Sequence, residues 1–502
     1  MRKSFMSAVI AVGLAISGSM PALAATAPAQ LNPQVAVDVV DPTVPSVVRA
    51  SAQGSTDTVP ITGYSFDFGD GTAPVASTSG IAAHRYAAPG NYHVIVTVTD
   101  SGGAVEQAEA PVAIGSAYVP MSPVRVLDTR SGIGGPSGKI RANSTRVIPV
   151  AGLNGIPAGG VTAVVLNVTG TDATAATFLT AYPTGTPRPA TSNLNLTVGA
   201  TVPNLVTVPV GADGTVTIYN HVGTTDVIAD IEGYYSFADD TANGFGEGFT
   251  TADAITRQVD TRTGLGVPKA KVGANTTLKV PGLAGNPATT HIVAAILNVT
   301  VTDATAAGFL TVSPDGSPRP TASDLNFTAG ATVSNLVIAP VGPDGTIDFY
   351  NHVGSVDVLV ATEGFIVSTA GPGELPFQTF SPIRLLDTRN GTGGPVAKIG
   401  AGQVRAVEGR ELPGGRDGVD LDTVVLNVTV TNATANTFVT VYPDSHVPTN
   451  VSNVNISPGQ TVSIQVVVAT NVTSANDGTF DIFNHVGSVD VVVDLFGFFS
   501  HD

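Results

Sequence analysis

Three short runs carry the residue types best suited to chemistry. Asp128-Thr129-Arg130 sets a carboxylate, a hydroxyl and a forked guanidinium side by side, and the triplet returns at Asp260-Thr261-Arg262 and Asp387-Thr388-Arg389. Such a set could grip a sugar through bidentate hydrogen bonds. The competing reading, which is favoured, is an Asp–Arg staple that fixes a turn, because a strand-ending Asp or Thr commonly satisfies its own backbone. A second run, Asn220-His221-Val222-Gly223, recurs at Asn351-His352 and Asn484-His485, each followed five residues past the histidine by Asp226, Asp357 or Asp490. One His and one distant Asp do not make a zinc set. A hairpin in which Asn and Gly take positive φ competes with a ligand-contacting tip, and the hairpin is favoured. The candidate contact residues are therefore Asp128, Arg130, Asn220, His221, Asp260, Arg262, Asn351, His352, Asp387, Arg389, Asn484 and His485.

Catalytic signatures do not accompany them. There is no G-x-S-x-G nucleophile elbow and no H-E-x-x-H metal pair. Gly134-Gly135-Pro136-Ser137-Gly138-Lys139 has the look of a phosphate loop, but Ile133 stands where its first Gly belongs and Ile140 where its Ser or Thr belongs. No catalytic residue, cofactor or metal is assigned. Asp67, Asp70 and Asp100 supply too few oxygens for calcium, which needs six to eight, and are expected to form turns.

The elements that must position these residues repeat along the chain. Leu166-Asn167-Val168-Thr169 recurs at Leu297 to Thr300 and at Leu426 to Thr429; Phe178, Phe309 and Phe438 each follow an Ala/Thr-rich loop. A recurrence of about 130 residues divides the chain into three homologous domains at 120–237, 250–368 and 378–500, joined through Ala238–Gly248 and Ser368–Glu374. The period is too long for a propeller blade, so each repeat is expected to be a whole domain. Within the first, Val124–Leu127, Arg146–Val150, Thr162–Thr169, Phe178–Tyr182, Leu194–Thr197, Leu205–Val210, Thr215–Tyr219 and Asp226–Ile231 are β-branched runs parted by Gly, Pro, Asn and Asp. They read as strands of an antiparallel sandwich or jelly roll. Thr215–Tyr219 alternates strictly, predicting one buried and one wet face, whereas the continuous Ala163–Leu166 suits a central strand.

Composition bounds the rest. The 502 residues carry a net charge of −17, which argues against a nucleic-acid partner, and 43% hydrophobic against 12% charged residues argues for compact folding. With no cysteine, stability must come from buried apolar area. Arg2-Lys3, the apolar run Ala8–Ile16 and Ala22-Leu23-Ala24 read as a signal peptide over 1–24, too short to span a bilayer, and no later stretch reads as an integral membrane segment. Export is expected, followed by release or non-covalent retention at the cell surface.

The segment 31–115 holds Phe66-Asp67-Phe68-Gly69-Asp70-Gly71, His84-Arg85-Tyr86, Pro89-Gly90-Asn91-Tyr92 and Asp100. Together these resemble the PKD domain, an immunoglobulin-like sandwich of secreted bacterial proteins, with Phe66 where that family usually has Trp. The resemblance implies module spacing and contact with protein or carbohydrate. The three long repeats, with their Leu-Asp-Thr-Arg start and Tyr-Asn-His end, resemble a module of secreted actinobacterial proteins that has no established activity.

The expected fold class is all-β: an N-terminal sandwich plus three tandem sandwich or jelly-roll domains, each with its own core. The expected function is a non-enzymatic binding or adhesion protein contacting cell-surface or extracellular polysaccharide or protein, with threefold recurrence multiplying a weak contact. Two alternatives stand beside it. One is a structural spacer or coat component shaped as an extended rod; the other is a glycan hydrolase with dispersed carboxylates.

Overall fold

The computed structural model describes residues 31–39, 46–237, 248–283, 291–367, 377–408, 422–444, 451–470 and 478–499. The signal peptide and nearly all of the two joints lie outside them. Described residues are all-β, and no helix among them is long and apolar enough to cross a membrane.

The N-terminal unit is a sandwich of two sheets. Ala36–Val39, Val47–Ser51 and Ile81–Arg85 form one; Val75–Ser77, Ile61–Asp67, Gly90–Asp100 and Val105–Ile114 form the other in that order. Alternation along Gly90–Asp100 sends Val94, Val96 and Val98 inward against Phe66, Phe68 and Tyr86. Phe66 is fully buried.

Each long repeat is a jelly roll. In the first, Ala117–Asp128, Asp226–Ser236, Val161–Thr171 and Val202–Pro209 make one four-stranded sheet, and Ser144–Pro149, Thr215–Asn220, Thr177–Pro183 and Leu194–Leu196 make the other. Numbered within the repeat, the orders are 1-8-3-6 and 2-7-4-5, and both other repeats follow them. All eight sequence-predicted strands are present. Val161–Thr171 is central, as its continuous apolar run requires, while Thr215–Asn220 departs from expectation because its polar face is covered as well. Thr184 and Thr217 share a hydrogen bond there at 2.8 Å, and the Arg188 guanidinium lies 4.2 Å from the centre of the Tyr219 ring.

The repeats are not strung out: the second and the third each keep a core of their own, and a further cluster, continuous with the core of the first, links all three. One apolar cluster draws together Val164 and Tyr235 of the first, Phe249, Ile296 and Ile338 of the second, and Phe377, Val425 and Phe499 of the third. The edge strands Val202–Pro209, Val333–Pro340 and Thr461–Ala469 all touch one another, so the three jelly rolls wrap a pseudo-threefold axis. Edge N–H groups must be satisfied without fusing the sheets. Side-chain amides do this: Leu205 N donates to Asn335 Oδ1 at 3.2 Å, Gln465 N to Asn204 Oδ1 at 3.0 Å and Thr207 N to Gln465 Oε1 at 2.6 Å. This arrangement adds a shared cluster to the repeats' own cores and disagrees with an extended rod.

Candidate binding groove

Every Asp-Thr-Arg triplet ends a strand and folds back on itself. The buried Asp128 carboxylate accepts from Arg130 N and Nε, both at 3.0 Å, and from Nη2 at 2.8 Å. Asp260–Arg262 and Asp387–Arg389 repeat the fork, each with Nη2 2.7 Å from Oδ2. The arginine side chain holds each of these carboxyls below the usual aspartate range, against the opposing effect of partial burial. Thr129 Oγ1 donates to Asp226 Oδ1 at 2.8 Å and accepts from Val227 N at 3.0 Å, so the aspartate beyond the histidine buckles the first strand to the last. Thr261–Asp357 and Thr388–Asp490 do the same. The glycine-rich loop that follows is steric in origin. Gly134, Gly266 and Gly393 have φ of 71°, 69° and 67°, and a Cβ at any of them would run into a carbonyl oxygen of the preceding strand.

The Asn-His runs divide. Asn220 is wholly buried; its Nδ2 donates to Ile140 O at 3.0 Å and Gly223 O at 3.2 Å, while Oδ1 accepts from Thr177 Oγ1 at 2.8 Å. Asn351 and Asn484 are equally buried and tie the same loops, which removes all three from the candidate contact set. His221, His352 and His485 are exposed, and each stacks on a phenylalanine of the adjacent strand: Phe178, Phe309 and Phe438, with centroids 4.5 Å apart. Each repeat thus presents a flat ring platform.

Asp67, Asp70 and Asp100 serve their own turns. Asp67 accepts from Gly69 N at 2.9 Å, Asp70 from Thr72 N at 3.0 Å and His84 Nε2 at 2.8 Å, and Asp100 from Ala104 N at 2.8 Å.

Packing about the axis brings together what lies far apart in the chain. The face carrying Arg257 and Arg262 in the second repeat meets the face carrying Phe438 and His485 in the third, and between them lies a groove of about 350 Å³. Its walls include Thr300, Thr302, Thr332 and Leu359 on one side and Ser452 and Asn455 on the other. The corresponding face of the first repeat meets the second, where Arg125 Nη2 reaches Thr321 O at 3.5 Å; that of the third meets the first, where Arg384 Nη2 reaches Ala190 O at 3.1 Å. A β-bulge between Arg257 and Val259, with counterparts beside Arg125 and Arg384, re-aims these arginines along the junction.

The arginines three residues before each aspartate were missed as site residues. Arg125 forks onto Asp230 at 2.9 and 3.1 Å, and Arg384 onto Asp494 at 2.8 and 3.2 Å. Opposite Arg257 the paired residue is Ala361. Aligning the repeats on Asp-Thr-Arg exposes both the recurrent arginine and this substitution.

Residues 32–114 match the PKD domain family. The N-terminal sandwich is a PKD domain. In solved structures, the PKD1 domain of the Vibrio cholerae metalloprotease PrtV is 25% identical, over 17% of this chain and 95% of that one, with a TM-score of 0.15. A promiscuous carbohydrate-binding module of the β-sandwich superfamily is 14% identical over 41% and 97% of the two chains, TM-score 0.17. A tetra-tandem repeat from the extending region of a large adhesion protein is 14% identical over 93% and 99%, TM-score 0.20. No curated protein matches the chain.

Proposed function

We propose that the protein is an exported, non-enzymatic binding and adhesion protein whose repeat junctions take up extracellular polysaccharide. The groove between the second and third repeats carries this reading. A sugar has an apolar C–H face and a rim of hydroxyls. The groove offers a ring platform, Phe438 with His485, beside hydroxyl and amide groups of Thr300, Ser452 and Asn455 and the guanidinium of Arg262. The platform occurs once per repeat, so a polymer engaging several would bind by avidity beyond any single contact. Both oxygens of Asp128, Asp260 and Asp387 are engaged by arginine, which suits recognition better than acid–base hydrolysis.

Retention of the full chain on immobilised polysaccharides provides the test. Replacing Phe178, Phe309 and Phe438 together by alanine is expected to lower retention at least tenfold. Unchanged retention of that variant, or no retention of the parent chain on any polymer, would reject the reading.

A further inference from the structure

We infer that a second cavity, where the three repeats meet at the axis, binds one uncharged sugar unit; the ligand class rests on the polysaccharide reading above. This cavity holds about 180 Å³, the share of about six waters at roughly 30 Å³ each, which admits one sugar ring and not two. All three repeats wall it. Asn195, Asn326 and Asn455 stand at one aligned position, the middle of the short strands Leu194–Leu196, Leu325–Phe327 and Val454–Ile456, and Val202, Val333 and Val462 lie at the start of the edge strands beside them.

The threefold pattern breaks at one place, and the break leaves a hydrogen-bonding group for a ligand. Asn195 Nδ2 donates to Ser463 Oγ of the third repeat at 2.6 Å, and Asn455 Nδ2 to Ser334 Oγ of the second at 2.7 Å. Each spends its other N–H on a serine of its own repeat, Ser192 at 3.3 Å and Ser452 at 3.1 Å. Rotation about the axis sets Asn326 opposite position 203 of the first repeat, which the pairing with Thr169, Thr300 and Thr429 aligns with Ser334 and Ser463. That position is Pro203, which has no hydroxyl. Among the described residues Asn326 Nδ2 therefore donates only to Ser323 Oγ, at 3.2 Å, and its other N–H is left for what enters the cavity. The rest of the wall selects the ligand. The valines and Pro203 offer an apolar surface to the C–H face of a sugar, the amides meet its hydroxyls, and none of the described lining residues is charged, so a neutral unit is preferred to an acidic or basic one. Thr332 and Asn455 border both this cavity and the groove beside Phe438, so a polymer seated in the groove can place a unit here.

Saturation-transfer NMR of the full chain, titrated with glucose, galactose, mannose and N-acetylglucosamine, tests the cavity with single units. Pro203→Ser supplies the hydroxyl found at the other two junctions, occupies the Asn326 amide and is expected to weaken the bound sugar about fivefold, the worth of one hydrogen bond. Pro203→Ala, which supplies no hydroxyl, is expected to lose less, and Asn326→Ala should reproduce the fivefold loss even if Pro203→Ser folds poorly. Sugar bound equally by the parent, Pro203→Ser and Asn326→Ala would overturn the inference. So would retention of the parent chain on polysaccharide with none of the four sugars bound; either result leaves the polysaccharide reading intact. Sugar binding with the expected losses but no polymer retained would uphold the cavity and reject that reading, whereas neither sugar nor polymer bound overturns both.

Discussion

At the scale of single residues, the Asn-His pair shows how neighbours in sequence part company in space. Asn220 shares the inward parity of Val216 and Ile218 along its strand, so it enters the core, while His221 belongs to the face of Thr217 and Tyr219. The distinction has an energetic consequence. Asn220→Ala would strand the Ile140 and Gly223 carbonyls and the Thr177 hydroxyl, at a cost of roughly 2–3 kcal/mol. His221→Ala removes an exposed ring stacked on Phe178 and should cost under about 1 kcal/mol. Guanidinium denaturation midpoints of the two variants decide the matter, and equal losses would contradict this division. Period-2 alternation along the strand is enough to place Asn220, Asn351 and Asn484 inside; grouping them with the histidines followed motif adjacency instead of parity.

Among elements, the strands were legible because β-branched runs and turn residues mark them, and the jelly-roll order follows once eight of them must close two sheets. How the repeats meet was not legible. Asn204, Asn335 and Gln465 are polar residues on edge strands, which by local pattern face water; at the axis they cap the N–H groups of a neighbouring repeat. The strand extension of the first repeat was missed for a related reason, since Tyr234-Tyr235 runs past the predicted end at Ile231 and Tyr235 reaches Phe377 and Phe499 of the third repeat. Phe499 stacks on Phe249 at 4.2 Å and lies 5.0 Å from Phe377, which itself stacks on Tyr235 at 4.1 Å, so four aromatic rings from three repeats form one contact. Phe499→Ala should cost about 3–5 kcal/mol. Because the lost contact lies between repeats, calorimetry is expected to show the unfolding endotherm broadening or splitting; a single endotherm at the parent temperature would show that the repeats do not rely on this cluster.

For the whole molecule, one position at each junction is solved three ways. Glu232 of the first repeat meets Asp324 of the second, Glu363 of the second meets Asn453 of the third at 2.7 Å, and Phe496 holds the aligned place in the third. Burial pushes Glu363 up to about 8, and drives Glu232 and Asp324 upward too, each raised further by a neighbouring acid. A buried acid with a raised folded-state value contributes stability that is complete below its unfolded value, near 4.5 for Glu363, and is lost as pH climbs through 8. Each such group removes up to about 1.4 kcal/mol per pH unit across that window. Asp128, Asp260 and Asp387 act oppositely, since their lowered values give stability that disappears only in strong acid. Packing of the repeats should therefore be firmest near pH 5 and weaken toward pH 9. Asp324→Asn isolates the cause. Asn193 and Asn453 occupy the aligned sites, accepting from Ala181 N at 2.7 Å and Val441 N at 2.8 Å as Asp324 Oδ2 accepts from Val312 N at 2.7 Å, so the substitution suits the local bonding. It also gives Glu232 an amide donor of the kind Asn453 gives Glu363. Thermal melts of the full chain should show little change from this substitution at pH 5 and a gain of about 1–3 kcal/mol at pH 8, from removal of one of two adjacent buried acids. An equal gain at both pH values would mean that packing, and not the ionisation of these buried acids, sets the stability of this junction.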